Sequence, residues 1–311
     1  MTVRRSALPA TPRRLWHALR LASALAVAAV LAPGCSPLTS VNDLFVSRDG
    51  YRVSSGLSYG PSPRQVLDVY VPEDAAAPAK VVVFYYGGAW RSGSRSYYRF
   101  LGQALTREGV IVVVPDYRVY PEARFPGFVE DGALALRWVE DNIAGFGGDV
   151  DDIWLMGHSA GAHIAALLIT DERYLAAEGI GRDRIRGFVG LAGPYAIDPL
   201  RYRTTRPAFA PLTTPEPAQP IAHVAGNEPP MLLLHGGDDG TVWPINSHAF
   251  ADRVNGAGGR ATVVEYPDLG HIGILLAMSE IFRGSGDVFR DTVGFLTTQP
   301  PPPGRPTAAL P

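Results

Sequence analysis

The segment Gly157-His158-Ser159-Ala160-Gly161 sets a serine between two glycines, directly after an apolar run at 153–156 and before a helix-like run at 162–169. Strand, sharp turn and helix is the setting in which G-x-S-x-G presents a nucleophile. The glycines let the backbone turn tightly and leave no Cβ to crowd the serine hydroxyl. Ser159 is therefore the candidate nucleophile; the bare pattern also describes ordinary Gly/Ser turns, and the flanking elements separate the two.

A serine hydroxyl is a weak nucleophile at neutral pH. It needs a histidine to take its proton and a carboxylate to hold that histidine in the right tautomer. In this setting the chain order is serine, acid, histidine, which favours histidines late in the sequence. His248 falls in the helical stretch 245–254 and reads as a surface or packing residue. His271 follows the strand 261–266 in the loop Asp268-Leu269-Gly270-His271, at the C-terminal rim of a sheet, and is the candidate base. The acid is expected just after the strand 231–234, where Asp238 and Asp239 stand side by side in His235-Gly236-Gly237-Asp238-Asp239-Gly240-Thr241-Val242. Position alone leaves both open, and His235 reads as structural within that loop.

Attack on an ester carbonyl creates an oxyanion, which needs preorganised N–H donors from the residue after the nucleophile and from a loop after an earlier strand. Ala160 supplies the first. Gly88 and Ala89, in Tyr85-Tyr86-Gly87-Gly88-Ala89-Trp90 after the strand 81–84, supply the others. Trp90, Tyr97, Tyr98 and Tyr195 either line a substrate pocket or pack beneath this rim. The histidines lack metal-ligand spacing and there is no cysteine pair, so neither a metal nor another cofactor is expected.

The elements that must hold these residues are legible as apolar, β-branched runs at 66–71, 81–86, 110–114, 153–156, 188–191, 231–234 and 261–266. Between most of them lie helical patterns; Val129, Ala133, Leu136, Val139 and Ile143 recur at the spacing of one buried helix face. Such alternation implies an α/β fold with a mostly parallel central sheet covered by helices on both faces. The stretch 195–230, rich in proline, threonine and alanine, breaks the rhythm and reads equally as a surface loop or a cover over the site. No internal repeat is evident.

With 311 residues, 46% of them hydrophobic, the chain can bury one large core. Residues 1–34 fall outside it. Five arginines precede an uncharged apolar stretch of 12 residues at 21–32, the layout of a secretory signal and too short to span a bilayer. The sole cysteine, Cys35, follows in Leu31-Ala32-Pro33-Gly34-Cys35, which resembles a bacterial lipoprotein processing site. Cleavage before Cys35, lipidation there and anchorage to a membrane after export across the bacterial inner membrane are the expectation. An ordinary periplasmic or secreted protein is the alternative. The expected divisions are a signal at 1–34, a linker at 35–59, a catalytic domain at 60–298 and a proline-rich disordered tail at 299–311. Without the signal, 23 basic residues face 30 acidic ones, net −7, which argues against nucleic acid as a partner. A lone cysteine permits no internal disulfide.

Several motifs together resemble the α/β-hydrolase carboxylesterases: Gly87-Gly88-Ala89-Trp90, the segment 115–122 with Asp116-Tyr117-Arg118, the turn Phe146-Gly147-Gly148-Asp149, the elbow through His163, and the blocks around Asp239 and His271. They cover roughly residues 60 to 297. Within the superfamily the chain is most similar to the feruloyl-esterase-like, prenylcysteine-methylesterase-like and kynurenine-formamidase-like group. The resemblance implies the α/β-hydrolase fold and a serine carboxylesterase acting on a small-molecule ester. An arylformamidase using the same triad and a non-catalytic binding relative are the rivals. The family pattern H-G-x-x-D-x-x-V puts Asp239 in the acid's place, with Asp238 as runner-up. Asp116, Tyr117 and Arg118 match a structural D-Y-R expected to brace the oxyanion loop. Two residues depart from the pattern: Tyr86 stands where a loop-shaping histidine is usual, and Ala89 where glycine is frequent.

Overall fold

A computed structural model describes residue 42 and residues 46–74, 78–210 and 212–298. The expected signal, Cys35 and the tail 299–311 lie outside the described residues. The elements below all belong to the unit that begins at Val46.

Eight strands form one sheet in the order β1-β2-β4-β3-β5-β6-β7-β8. They are β1 Tyr51–Ser58, β2 Val66–Pro72, β3 Ala79–Tyr85, β4 Ile111–Pro115, β5 Gly148–His158, β6 Ile185–Leu191, β7 Met231–Gly236 and β8 Ala261–Tyr266. β2 runs antiparallel to β1 and β4, and β3 through β8 are parallel with β4. Successive strand side chains point to opposite faces, and Val81, Val82, Val83, Phe84 and Tyr85 are all fully buried, so both faces of the sheet's centre are covered. This is the expected α/β architecture.

The helices are α1 Arg99–Thr106, α2 Gly127–Asn142, α3 Ala160–Thr170, α4 Glu172–Ala177, α5 Arg206–Phe209, α6 Ile245–Gly256, α7 Gly273–Leu276 and α8 Val288–Thr298. In α2 the residues at Val129, Ala133, Leu136 and Val139 form the buried face read from their spacing. Every residue of α3 is buried, which explains why its sequence is apolar apart from His163 and Thr170; a helix enclosed all round has no polar face to show. No helix among the described residues is long and apolar enough to cross a membrane.

The sheet extends N-terminal of the boundary expected at residue 60, because Tyr51–Ser58 form its edge strand. That segment carries mostly exposed, polar side chains, and its pairing with β2 shifts register between Ser54 and Leu57, around Gly56 at φ +73°. A half-solvated edge strand interrupted by a bulge has neither the apolar run nor the strict alternation that marks the central strands.

Candidate active site

β5 ends at His158 and α3 starts at Ala160, so Ser159 occupies the turn itself, with φ 54° and ψ −122°. For a residue with a Cβ this conformation costs on the order of 1–3 kcal/mol. Neighbouring hydrogen bonds impose it: Ser159 N–H donates to the Leu191 carbonyl at the end of β6, and His163 N–H to the Ser159 carbonyl. Gly161 is required for close approach, since a Cβ there would stand 2.0 Å from the Tyr85 carbonyl oxygen.

His271, in the loop after β8, brings Nε2 within 2.8 Å of Ser159 Oγ and Nδ1 within 2.7 Å of Asp239 Oδ2. An ionised carboxylate only accepts, so Nδ1 carries the proton and Nε2 is the bare nitrogen that receives the serine O–H. Asp239 is buried, and its Oδ1 accepts the N–H groups of Thr241 and Val242, each at 2.9 Å. Burial on its own would raise the Asp239 pKa; His235, whose Nε2 lies 3.4 Å from Oδ2, and hydrogen bonds from His271 and the Val242 N–H outweigh it and hold the carboxyl below its ordinary range. Asp238 is exposed and its backbone N–H donates to Leu269. Of the two adjacent aspartates, the structure joins Asp239 to His271. His235 sits in the acid loop, where Nε2 donates to the Val242 carbonyl and Nδ1 accepts from Ser247 Oγ. His248 lies on α6, exposed and 2.9 Å from Glu265.

The loop after β3 passes over the elbow: a Cβ on Gly87 would stand 3.0 Å from the Ser159 Cβ. Gly88 takes φ +137°, and Ala89 and Trp90 follow at +52° and +57°. Three consecutive residues in the left-handed half of the map turn this loop sharply beside Ser159, and Ala89 adopts there a conformation that glycine enters more cheaply. Tyr86, fully buried, anchors the loop's root. Its hydroxyl donates to Asp116 Oδ1 at 2.7 Å and accepts from Arg64 Nη2 at 3.0 Å, and its ring stacks on Tyr117 and Tyr98. Burial, with Tyr117 and Asp116 adding to it, pushes the phenol's pKa well up, so it remains a donor. The Asp116-Tyr117-Arg118 segment braces this region: Arg95 pairs with Asp116, Tyr117 Oη donates to the Tyr86 carbonyl at 2.7 Å, and Arg118 pairs with the buried Asp131.

Ser159 opens into a cleft of about 610 Å³ whose walls include Ala89, Trp90, Val242, Trp243, Ile245 and Tyr202. The stretch 195–230 is no bare surface loop. It contains α5 and two short 3₁₀ turns, and Ile197 to Thr205 contribute a wall of the cleft. Of the four aromatic residues expected near the rim, Trp90 lines the cleft. Tyr195 stacks on Phe250 beneath it, and Tyr98 packs on Phe84 and Tyr86. Among the described residues no group of His, Cys, Asp or Glu side chains could hold a metal ion.

Two buried histidines of the elbow motif escaped the sequence reading. His158 Nε2 lies 2.9 Å from the His271 carbonyl. His163 Nε2 lies 2.7 Å from the Ala218 carbonyl and its ring meets Trp90 and Phe209 edge-on, fastening the 195–230 stretch to α3. Burial depresses their pKa values to about 3 and about 4 respectively. Arg64 and Arg95 were missed as well. Their partners lie far away in sequence, so no local pattern marks them.

Comparison with known proteins accords with this architecture. Residues 67–180 match the family model BD-FAE. A probable isoprenylcysteine alpha-carbonyl methylesterase of Arabidopsis thaliana is 32% identical over 266 residues, 78% of this chain and 55% of its own length. Esterase LipC of Mycobacterium tuberculosis is 34% identical over 236 residues, 68% of this chain and 58% of its own. The chain thus spans little more than half of these relatives. Among solved structures, Thermogutta terrifontis esterase 2 phosphorylated by paraoxon superposes with a TM-score of 0.63 at 25% identity, covering 80% of this chain and 92% of that one. By sequence and by fold, the chain is related to the BD-FAE family, whose model it matches over residues 67–180, and is similar to the isoprenylcysteine methylesterases and to esterases of the α/β-hydrolase fold.

Proposed function

We propose that this chain is a serine carboxylesterase, with Ser159 as nucleophile, His271 as general base and acid, and Asp239 as the group that orients His271. The observation that carries the reading is the unbroken chain of hydrogen bonds from Ser159 Oγ through His271 to Asp239 at 2.8 and 2.7 Å, at the floor of an open cleft.

In the forward step Ser159 Oγ attacks the ester carbonyl carbon while its proton passes to His271 Nε2. The resulting imidazolium faces the Asp239 carboxylate, which stabilises it. The carbonyl oxygen becomes an oxyanion, stabilised by the N–H groups of Gly88, Ala89 and Ala160. Collapse breaks the bond to the alkoxy oxygen, which leaves as an alcohol with the proton from Nε2. Water then attacks the acyl-enzyme, giving its proton to His271, and the carboxylic acid departs as Ser159 recovers its hydrogen. The largely apolar walls formed by Trp90, Val242, Trp243 and Ile245 favour esters with an apolar acyl or alcohol group.

The test is turnover of purified protein on alkyl and aryl esters graded in chain length, with a prenylcysteine methyl ester and N-formylkynurenine included, together with mapping of an organophosphate adduct. Ester hydrolysis with the adduct on Ser159 is the expected outcome. Preference for the formamide would move the reading to an arylformamidase, and no turnover and no adduct would move it to a binding protein. We further propose that residues 1–34 direct export and that Cys35 is lipidated, a reading supported by the basic and apolar segments before the lone cysteine. Wild-type protein found wholly soluble, with a mature N-terminus elsewhere, would overturn it.

A further inference from the structure

We infer that His158 is a positioning residue for the general base: its buried imidazole ties the nucleophile's elbow to the backbone of His271 and abuts the oxyanion loop. This inference rests on the esterase reading above and adds a residue that acts through His271.

The carbonyl of His271 can only accept, so His158 Nε2, 2.9 Å away, carries the ring's proton and donates it. That leaves Nδ1 bare, and it is buried without a partner. His158 is buried, with 3% of its surface exposed. A cationic imidazole in that place would leave a buried N–H unpaired and put a positive charge beside His271, since the two ring centroids are 4.8 Å apart. Burial, with the neighbouring His271 acting in the same direction, holds the His158 pKa at about 3. A neutral donor is what this position requires, because a charge here would oppose the proton that His271 must accept. On the other side, a Cβ on Gly87 would stand 2.9 Å from His158 Nδ1, so the ring also lies against the start of the oxyanion loop.

An ordinary core histidine satisfies itself on whatever carbonyl is near. Here the partner is 113 residues away and is the residue that bears the base. The rest of that loop is held from elsewhere: the Leu269 carbonyl accepts from Asp238 N–H, and the Gly270 carbonyl from Ile274 N–H. Among the described residues, His158 makes the one hydrogen bond from the elbow to the backbone of the base loop. Asp239 fixes Nδ1 of His271 and His158 fixes its main chain; with both ends held, Nε2 stays in line with Ser159 Oγ.

The experiment compares His158→Gln, whose amide nitrogen can occupy the place of Nε2, with His158→Met, of similar size and without a donor. Both are made in the full chain and followed by kcat, KM, thermal midpoint and the rate of organophosphate labelling of Ser159. We expect His158→Met to lose about 100-fold in kcat and in labelling rate, the scale of an ångström-sized misplacement, with KM and the folded state retained. His158→Gln should stay within about tenfold of wild type, a barrier change of about 1.4 kcal/mol. Near-normal kcat in His158→Met would overturn the inference, as would equal loss in both variants, which would assign the effect to the ring and not to its donor. If His158→Met does not fold, His158→Asn takes its place, because its shorter amide cannot reach the carbonyl, and the same outcomes decide. Wild-type protein that neither turns over esters nor labels at Ser159 defeats the esterase reading itself; labelling that is intact in wild type and indifferent to His158 defeats only this inference.

Discussion

The floor and the mouth of the cleft are built differently. At the floor, Ser159, His271, Asp239 and Tyr86 are each held by two or more hydrogen bonds, and the backbone keeps strained angles at Ser159, Ala89 and Trp90. At the mouth, Trp243 is 68% exposed, Ile245 61% and Tyr202 48%. On the esterase reading proposed above, the contrast separates two tasks. Chemistry needs fixed distances, so its residues are over-determined by their surroundings, whereas substrate choice depends on loosely held apolar surface that can change without disturbing the floor.

Substitutions should therefore act very differently in the two regions. Ser159→Ala should abolish organophosphate labelling and lower kcat by about 10⁴-fold or more, with the thermal midpoint preserved; a variant that still hydrolyses esters at wild-type rates would remove the floor's central element. Asp239→Asn should reduce kcat by about 10⁴-fold by favouring the wrong His271 tautomer. Asp238→Asn, at an exposed side chain, should leave turnover near wild type, and steady-state kinetics giving the reverse ranking would hand the acid's role to Asp238.

Tyr86 tests whether the loop's root belongs with the floor. Tyr86→Ala removes the ring stack and both hydroxyl contacts beneath the oxyanion donors, and kcat should fall by up to several hundredfold. Tyr86→Phe keeps the stack, leaves Asp116 with its Arg95 partner, and should cost about 1–3 kcal/mol of stability in denaturant titration with kcat within about tenfold. Loss of catalysis in a folded Tyr86→Phe would make the phenol a direct participant. At the mouth, Trp243→Ala should raise KM for long-chain or aryl esters by about tenfold, equivalent to about 1.4 kcal/mol, and leave kcat and short-chain esters little changed.

A separate expected effect is on stability against pH. His158 and His163 have folded-state pKa values of about 3 and about 4, below the ordinary histidine value of about 6.5. Between those limits the unfolded chain binds more protons than the folded one, so stability falls as pH drops below about 6.5 and levels off beneath the folded values. Asp239, also depressed, adds a loss in the same direction only once pH enters the ordinary carboxylate range. Thermal midpoints measured from pH 7 to pH 4 should decline, and His163→Gln should flatten that slope. An unchanged slope would mean that the fastening at Ala218 does not depend on a neutral imidazole.

The sequence by itself determined the sheet's centre, the buried face of α2, the elbow, and the candidate residues Ser159 and His271 together with the glycine loop at 87–88. Each is recorded locally, either as a run of apolar side chains that must be enclosed on both faces or as a motif whose glycines a tight turn demands. Sequence position alone left Asp238 and Asp239 open, and only the family pattern ranked them before the fold joined one to His271. The tertiary structure decided what depends on residues distant in the chain. It set the edge strand Tyr51–Ser58, whose pairing with β2 overrides its weak periodicity. It placed the 195–230 stretch as a wall of the cleft, linked Arg64 and Arg95 to the Tyr86–Asp116 cluster, and set His158 against the carbonyl of His271. A buried polar group takes its role from the partner that satisfies it, and when that partner lies 113 residues away only the fold can supply it.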